Sequence, residues 1–130
     1  MKKLFKITSL TLVLLMLIAS LVACGGPAKK PADAKAALEA NGYSVVLSEG
    51  KALEAIASLL GIDDLDAKIV ATSKEDLDDY VTIYYFEDAD DAEAAWEKIQ
   101  TEADKADAEV VKKSGNMIYY GTEAAVKAAK

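Results

Sequence analysis

The residue with the most distinctive chemical setting is Cys24, the only cysteine of the chain. It closes an apolar run, with Ala23 before it and Gly25 and Gly26 after it. A single cysteine cannot form a disulfide within its own chain, and without histidine the usual zinc ligand sets cannot be assembled. Cys24 is therefore the one thiol available for chemistry.

The segment before Cys24 has the layout of a secretory signal, with three lysines in residues 1–6 and an almost entirely apolar stretch over residues 7–23. It ends in Leu21, Val22, Ala23 and Cys24. This quartet resembles the lipobox of bacterial lipoproteins, in which leucine stands three before the cysteine, small residues precede it, and Gly or Ser follows. The resemblance covers only the first 26 residues.

The resemblance implies that the Cys24 thiol receives a diacylglyceryl group and that a signal peptidase cuts between Ala23 and Cys24. Residues 1–23 would then be the signal peptide, and the protein would be held on the extracytoplasmic face of the cell membrane by lipid. Two acyl chains make such attachment stable, since each buried methylene contributes about 0.8 kcal/mol. The alternative is an uncleaved anchor, because about 17 apolar residues just suffice to span a bilayer.

Glycine and proline dominate the residues after Cys24, which predicts that residues 24–32 form the lipidated cysteine and a flexible tether. Residues 33–130 are expected to form one α+β domain. Its charge is strongly negative, because twelve lysines stand against 22 acidic residues once the signal is set aside. Nucleic acid is thus an unfavourable partner, and attachment to a membrane by lipid is favoured over attachment by charge.

Acidic side chains crowd the stretch Glu87–Glu93, which invites a calcium site because hard cations take several carboxylate oxygens. The stretch lacks the glycine and the final glutamate of an EF-hand loop. At the start of a helix the same acids are expected from capping and from the helix dipole. We therefore predict no metal site.

Catalytic motifs are not recognisable in this sequence. The serines have no Gly-x-Ser-x-Gly setting and no histidine to activate them, and no phosphate-binding glycine motif occurs. Paired carboxylates could do acid and base work, but acids are too common here for their spacing to indicate it. The prediction is a protein that is not an enzyme and needs no cofactor beyond the covalent lipid.

Periodicity and capping residues predict the secondary structure. Asp33 is expected to cap a helix to about Ala40, and a helix through Leu53–Leu60 is expected to end at Gly61. The longest helix is expected after Asp88, with Trp96 as its central anchor, and a short one after Thr122. The predicted strands lie at residues 43–48, 67–72, 80–87, 108–112 and 117–120.

This order predicts a small antiparallel sheet with helices mainly on one face. Its middle is similar to the ferredoxin-like βαββαβ arrangement, with an added helix before it and an added strand and helix after it. Many unrelated activities share that architecture, so it transfers no function.

The strand Tyr80–Phe86 carries bulky side chains on both of its faces. If helices cover only one side of the sheet, an aromatic surface stays open, and such patches mark binding sites. Its candidate residues are Tyr84, Phe86, Tyr119 and Tyr120. The alternative is that a helix covers this side.

The sequence thus predicts a lipid-anchored extracytoplasmic protein that binds an unidentified protein or small molecule without catalysis. One alternative is a structural lipoprotein that self-associates as a homodimer. The other is an enzyme that uses carboxylates or calcium.

Overall fold

The computed structural model describes residues 26–62 and 64–130. The elements in chain order are α1 (Pro31–Ala40), β1 (Tyr43–Ser48), α2 (Gly50–Leu60), β2 (Leu65–Ser73), β3 (Tyr80–Phe86), α3 (Ala89–Lys105), β4 (Val110–Ser114), β5 (Met117–Gly121) and α4 (Glu123–Ala128). The predicted α+β class is confirmed.

Helix ends follow the local sequence. Gly61 adopts a left-handed conformation, φ 65°, and stops α2. The Asp88 side chain caps α3 by accepting from the Asp91 amide at 3.0 Å, and the Thr122 hydroxyl caps α4. Asp33 does not cap α1, because the helix already starts at Pro31, whose fixed φ suits a first turn.

All five strands form one antiparallel sheet in the order β1-β2-β3-β5-β4. The predicted order of elements is present, but the ferredoxin-like arrangement of strands is not formed. That arrangement needs a crossover that separates the first two strands, whereas here Val46 of β1 lies directly opposite Val70 of β2. The helix α2 therefore connects two adjacent antiparallel strands.

Helices cover both faces of the sheet, so the expectation of helices mainly on one face is wrong. On face A, which carries Ile69 and Ile83, the buried side chains include Leu38 of α1 and Val126 of α4. On face B, which carries Tyr84, Phe86, Ile118 and Tyr120, they include Ala92, Ala95 and Ile99 of α3. Both faces need a cover because β3 is bulky on both sides. Trp96 is only half-buried, and Ile99 is the largest fully buried side chain of α3.

The Asp79 carboxylate joins three parts of the chain. It accepts a hydrogen bond from the Tyr43 hydroxyl at 2.6 Å, at the start of β1. It also accepts from the hydroxyl of Thr122, the residue that caps α4. The turn between β2 and β3 is thereby fixed against both elements.

Candidate functional site

The predicted aromatic binding face is part of the core. Tyr84 and Phe86 are 0% exposed, Tyr119 is 2% exposed and Tyr120 is 8% exposed. The long helix α3 packs over Tyr84, Phe86 and Tyr120 on face B, while Tyr119 lies on the opposite face. The prediction of an open aromatic surface at these residues is wrong, because each face has its own helix cover.

Three polar side chains, Tyr84, Glu102 and Lys68, meet between α3 and the sheet. The Tyr84 hydroxyl donates a hydrogen bond to the Glu102 carboxylate at 3.0 Å, and the Lys68 ammonium lies 5.0 Å from the centre of the Tyr84 ring. Burial raises the pKa of Tyr84, and the charges of Tyr120 and Glu102 add to the rise. Burial also lowers the pKa of Lys68, while the charge of Glu102 opposes that shift. Each group has a structural partner, so the arrangement ties α3 to the sheet.

An acidic cleft of about 680 Å³ runs along α2 and the start of β2. Its lining includes the carboxylates of Glu54, Asp64, Asp66 and Glu87. Within the described ranges no three acidic side chains converge in a way that could hold a metal ion. The acids at the start of α3 instead act locally, as the Asp88 cap shows.

The segment just after Gly25 is docked on the fold. The Ala28 amide donates to the Ala129 carbonyl at 2.9 Å, and the Tyr85 hydroxyl donates to the Ala28 carbonyl at 2.8 Å. Gly26, with φ 118°, lies so close to the Tyr119 ring that a Cβ would come within 2.5 Å of the hydroxyl oxygen. The tether predicted over residues 24–32 is therefore wrong from Gly26 onward. Specific hydrogen bonds hold these residues, and helix α1 begins at Pro31.

Several lysines adjoin this docked segment along the chain or through the strand register. Lys29 and Lys30 follow Ala28 directly, and Lys130 follows its partner Ala129. Lys112 of β4 lies opposite Tyr119 in the sheet. Its side chain is therefore on face A, the side on which Gly26 contacts Tyr119. Together with Lys127 of α4, these residues form what we call the lysine cluster: Lys29, Lys30, Lys112, Lys127 and Lys130.

Two acidic residues lie near the lysine cluster. Glu123 forms an ion pair with Lys127 at 3.4 Å. Asp33 lies in the first turn of α1, and its charge contributes to the raised pKa of Tyr85, whose main cause is burial. Three exposed lysines, Lys29, Lys30 and Lys112, have no salt bridge within the described part of the chain. In a strongly acidic protein this is a locally basic surface.

Ala23 and Cys24 lie outside the described residues, so their predicted cleavage and lipidation stay predictions. The docked segment nevertheless begins two residues after Cys24. Sequence reasoning missed both this docking and the lysine cluster. Three separate stretches of chain supply the cluster, and no local pattern connects them.

Comparisons of the chain with family models, with curated proteins and with solved structures found no match. Over the described ranges, none of the helices combines the length and the apolar character needed to cross a bilayer.

Proposed function

We propose that this protein is a bacterial lipoprotein, anchored by a diacylglyceryl group on Cys24 at the extracytoplasmic face of the cell membrane, and that it acts there by binding rather than by catalysis. One observation carries the proposal beyond the lipobox. The chain that leads to Cys24 joins the fold at Gly26, three residues before Lys29 and against the ring of Tyr119, the strand partner of Lys112.

The short distance along the chain sets the geometry of attachment. With Gly26 docked, only Gly25 separates the fold from the acylated residue, and one residue spans at most about 3.6 Å. The protein would therefore sit directly on the bilayer surface. Face A, with α1 and α4, would turn toward the lipid, and face B, with α3 and the acidic cleft, would turn away.

Charge supports the same orientation. An anionic leaflet attracts each nearby lysine by about 1 kcal/mol, and it repels the acidic remainder of the protein. The lysine cluster places cations at the point of attachment, while Glu54, Asp66 and Glu87 line the cleft beyond α2. In this arrangement the lipid provides the affinity for the membrane, and the lysines set the orientation of the protein on it.

A role in binding agrees with the chemistry of the described residues. Without histidine, no side chain has its ordinary pKa near neutrality. Tyr84, Tyr85 and Lys68, whose pKa values are shifted, lie in contacts that hold the segment before α1, α3 and the sheet together. The ligand or partner would meet the surface that faces away from the membrane.

Lipid labelling in a bacterial host tests the anchor. The full chain is expressed with a clickable palmitate analogue, and the wild type is compared with Cys24→Ala. We expect label and a cut after Ala23 in the wild type, and neither in Cys24→Ala. Gly25→Ser is the matched control, because a lipobox accepts serine at this position, and it should keep the label. A processed, membrane-bound wild-type chain without label would contradict the proposal.

A further inference from the structure

The two edges of the sheet differ in a way that bears on association. Edge strand β4 carries Lys112 and Lys113, both exposed, and such charges prevent pairing with other strands. Edge strand β1, Tyr43–Ser48, has no charged residue and no proline. The exposed lysines therefore protect β4 from pairing with a further strand, whereas β1 has no charged residue that would prevent such pairing.

The backbone of β1 presents unpaired groups along its outer side. The Gly42 carbonyl accepts a hydrogen bond from the Lys74 amide at 3.1 Å. This bond shows which residue pairs between β1 and β2 are the hydrogen-bonded ones. In an antiparallel ladder alternate residues point their amide and carbonyl groups to opposite sides. Ser44, Val46 and Ser48 thus bond to β2. Tyr43, Val45 and Leu47 direct theirs outward, where no described backbone group meets them.

An exposed apolar pair lies beside this edge. On face B, Val46 is 61% exposed and its neighbour Val70 is 37% exposed. Helix α3 packs over β3, β4 and β5, and α2 contacts β2. Neither helix buries Val46 or Val70, as their exposed fractions show.

We propose that β1 pairs antiparallel with β1 of a second copy of this chain, with Val46 of each copy facing the other at the twofold axis. In this register Val45 lies opposite Leu47 of the other copy, so that the outward backbone groups pair with each other. Ser44 lies opposite Ser48, and Glu49 lies opposite Tyr43. No two like charges meet along the strands, although each copy is strongly acidic.

The symmetry favours a second copy over an unrelated peptide. A twofold axis through an antiparallel strand pair at a sheet edge is perpendicular to the sheet. The two copies then form one ten-stranded sheet, and face A of each lies on the same side. Both lysine clusters, and both chains leading to Cys24, would face one membrane.

The size of the contact sets where the dimer forms. Pairing of two six-residue strands buries less area than the roughly 1,200 Å² of a stable interface, so it is weak in dilute solution. Confinement on a membrane raises the effective concentration and offsets this weakness. Pairing is thus strongest for the anchored protein, and in this respect the inference rests on the proposed function.

Disulfide trapping in membranes of the expressing cells tests the pairing. Residues directly opposite in a non-hydrogen-bonded antiparallel pair have Cα atoms about 4.5 Å apart, within disulfide reach. We expect the full chain with Val46→Cys to form a covalent dimer under mild oxidant. Val70→Cys is the matched control, because two such residues would lie about 14 Å apart, three strand spacings. It should stay monomeric, as should the wild type.

The outcomes separate the two proposals when the palmitate label is read in the same samples. Labelled Val46→Cys that forms no more dimer than labelled Val70→Cys overturns the pairing and leaves the anchor standing. A Val46→Cys dimer without label, which neither the wild type nor Val70→Cys forms through a free Cys24, supports the pairing and contradicts the anchor. A disulfide between Val46→Cys and a different protein, with no homodimer, also overturns the pairing and makes β1 a site for another chain.

Discussion

The Tyr85 hydroxyl donates to the Ala28 carbonyl at 2.8 Å, across 57 residues of sequence. It comes from the central strand β3 and reaches the segment that leads to Cys24. The point of membrane attachment in our proposal is thereby joined to the middle of the sheet. Five predictions test this connection, the buried tyrosines and the surfaces around them.

Tyr85→Phe should loosen the docked segment. The change keeps the ring but leaves the Ala28 carbonyl without this donor, so we expect a loss of about 1–2 kcal/mol in the free energy of unfolding. Urea unfolding of the protein in mild detergent measures it. Tyr80→Phe is the matched control, because the Tyr80 hydroxyl bonds the Ala106 carbonyl at 3.2 Å at an exposed position and should matter less. Equal effects of the two changes would contradict the docking.

Gly26→Ala should displace the segment more strongly. Its Cβ would overlap the Tyr119 ring, and φ 118° is unfavourable for any residue with a side chain. We expect a loss of about 1–3 kcal/mol and faster proteolysis before α1. Gly115→Ala also has a positive φ, 59°, but open space around it. If Gly115→Ala cost as much as Gly26→Ala, backbone strain alone would explain both, and close packing at Gly26 would not be needed.

Alkaline titration should reveal delayed ionisation of every tyrosine. Burial raises the pKa of all six: Tyr43, Tyr80, Tyr84, Tyr85, Tyr119 and Tyr120. A folded-state pKa above the unfolded value of about 10 contributes stability that is fully present below pH 10 and is lost as the pH rises toward the folded value.

The measurement for this prediction is tyrosinate absorbance at 295 nm. At pH 10 the folded protein should show little signal, and the urea-unfolded protein should be about half ionised. Ionisation of the folded form should then rise together with loss of its circular dichroism. A normal, gradual titration centred at pH 10 in the folded protein would show that these hydroxyls are accessible to solvent.

The orientation on the membrane can be read by fluorescence quenching with brominated lipids. Trp96, the only tryptophan, belongs to α3 on face B and should be quenched weakly in anionic vesicles that hold the lipidated protein. A reporter on the opposite face, Ala124→Trp combined with Trp96→Phe, should be quenched strongly, because Ala124 lies on the exposed side of α4. Stronger quenching of Trp96 would reverse the proposed orientation.

Charge at the attachment surface should affect the same measurement. Replacing Lys29, Lys30 and Lys112 by glutamine should weaken quenching of the Ala124→Trp reporter in anionic vesicles but not in zwitterionic ones. Replacing Lys51, Lys74 and Lys105, which are exposed elsewhere, removes the same charge and serves as the control. If both triple variants behaved alike, total charge rather than the lysine cluster would set the orientation.

Much of the secondary structure could be predicted because local chemistry decides it. Gly61 ends a helix through its own backbone, and Asp88 and Thr122 cap helices through neighbours three residues away. The order of the strands was harder to predict. Nothing in the residues around α2 indicates whether β2 returns beside β1 or crosses over to a more distant position, so the ferredoxin-like expectation failed at this step.

The candidate surfaces were less predictable than the elements. The bulk of Tyr84 and Phe86 suggested an open face only because the cover was expected on one side, whereas Ile99 of α3 closes it. The docking of Gly26 depends on Tyr119, and that of Ala28 on Ala129, which are about a hundred residues away. The register between β4 and β5 is also needed before Lys112 can be placed beside this segment.

The partners of the docked segment have a consequence for the order of events during biosynthesis. Ala28 is made early, but it bonds Ala129 and Tyr85, and Gly26 rests on Tyr119. Because ribosomes make the amino end first, this segment has no docking place until the last helix has been synthesised. In our proposal, cleavage before Cys24 and acylation of its thiol can therefore take place before Gly26 and Ala28 are docked.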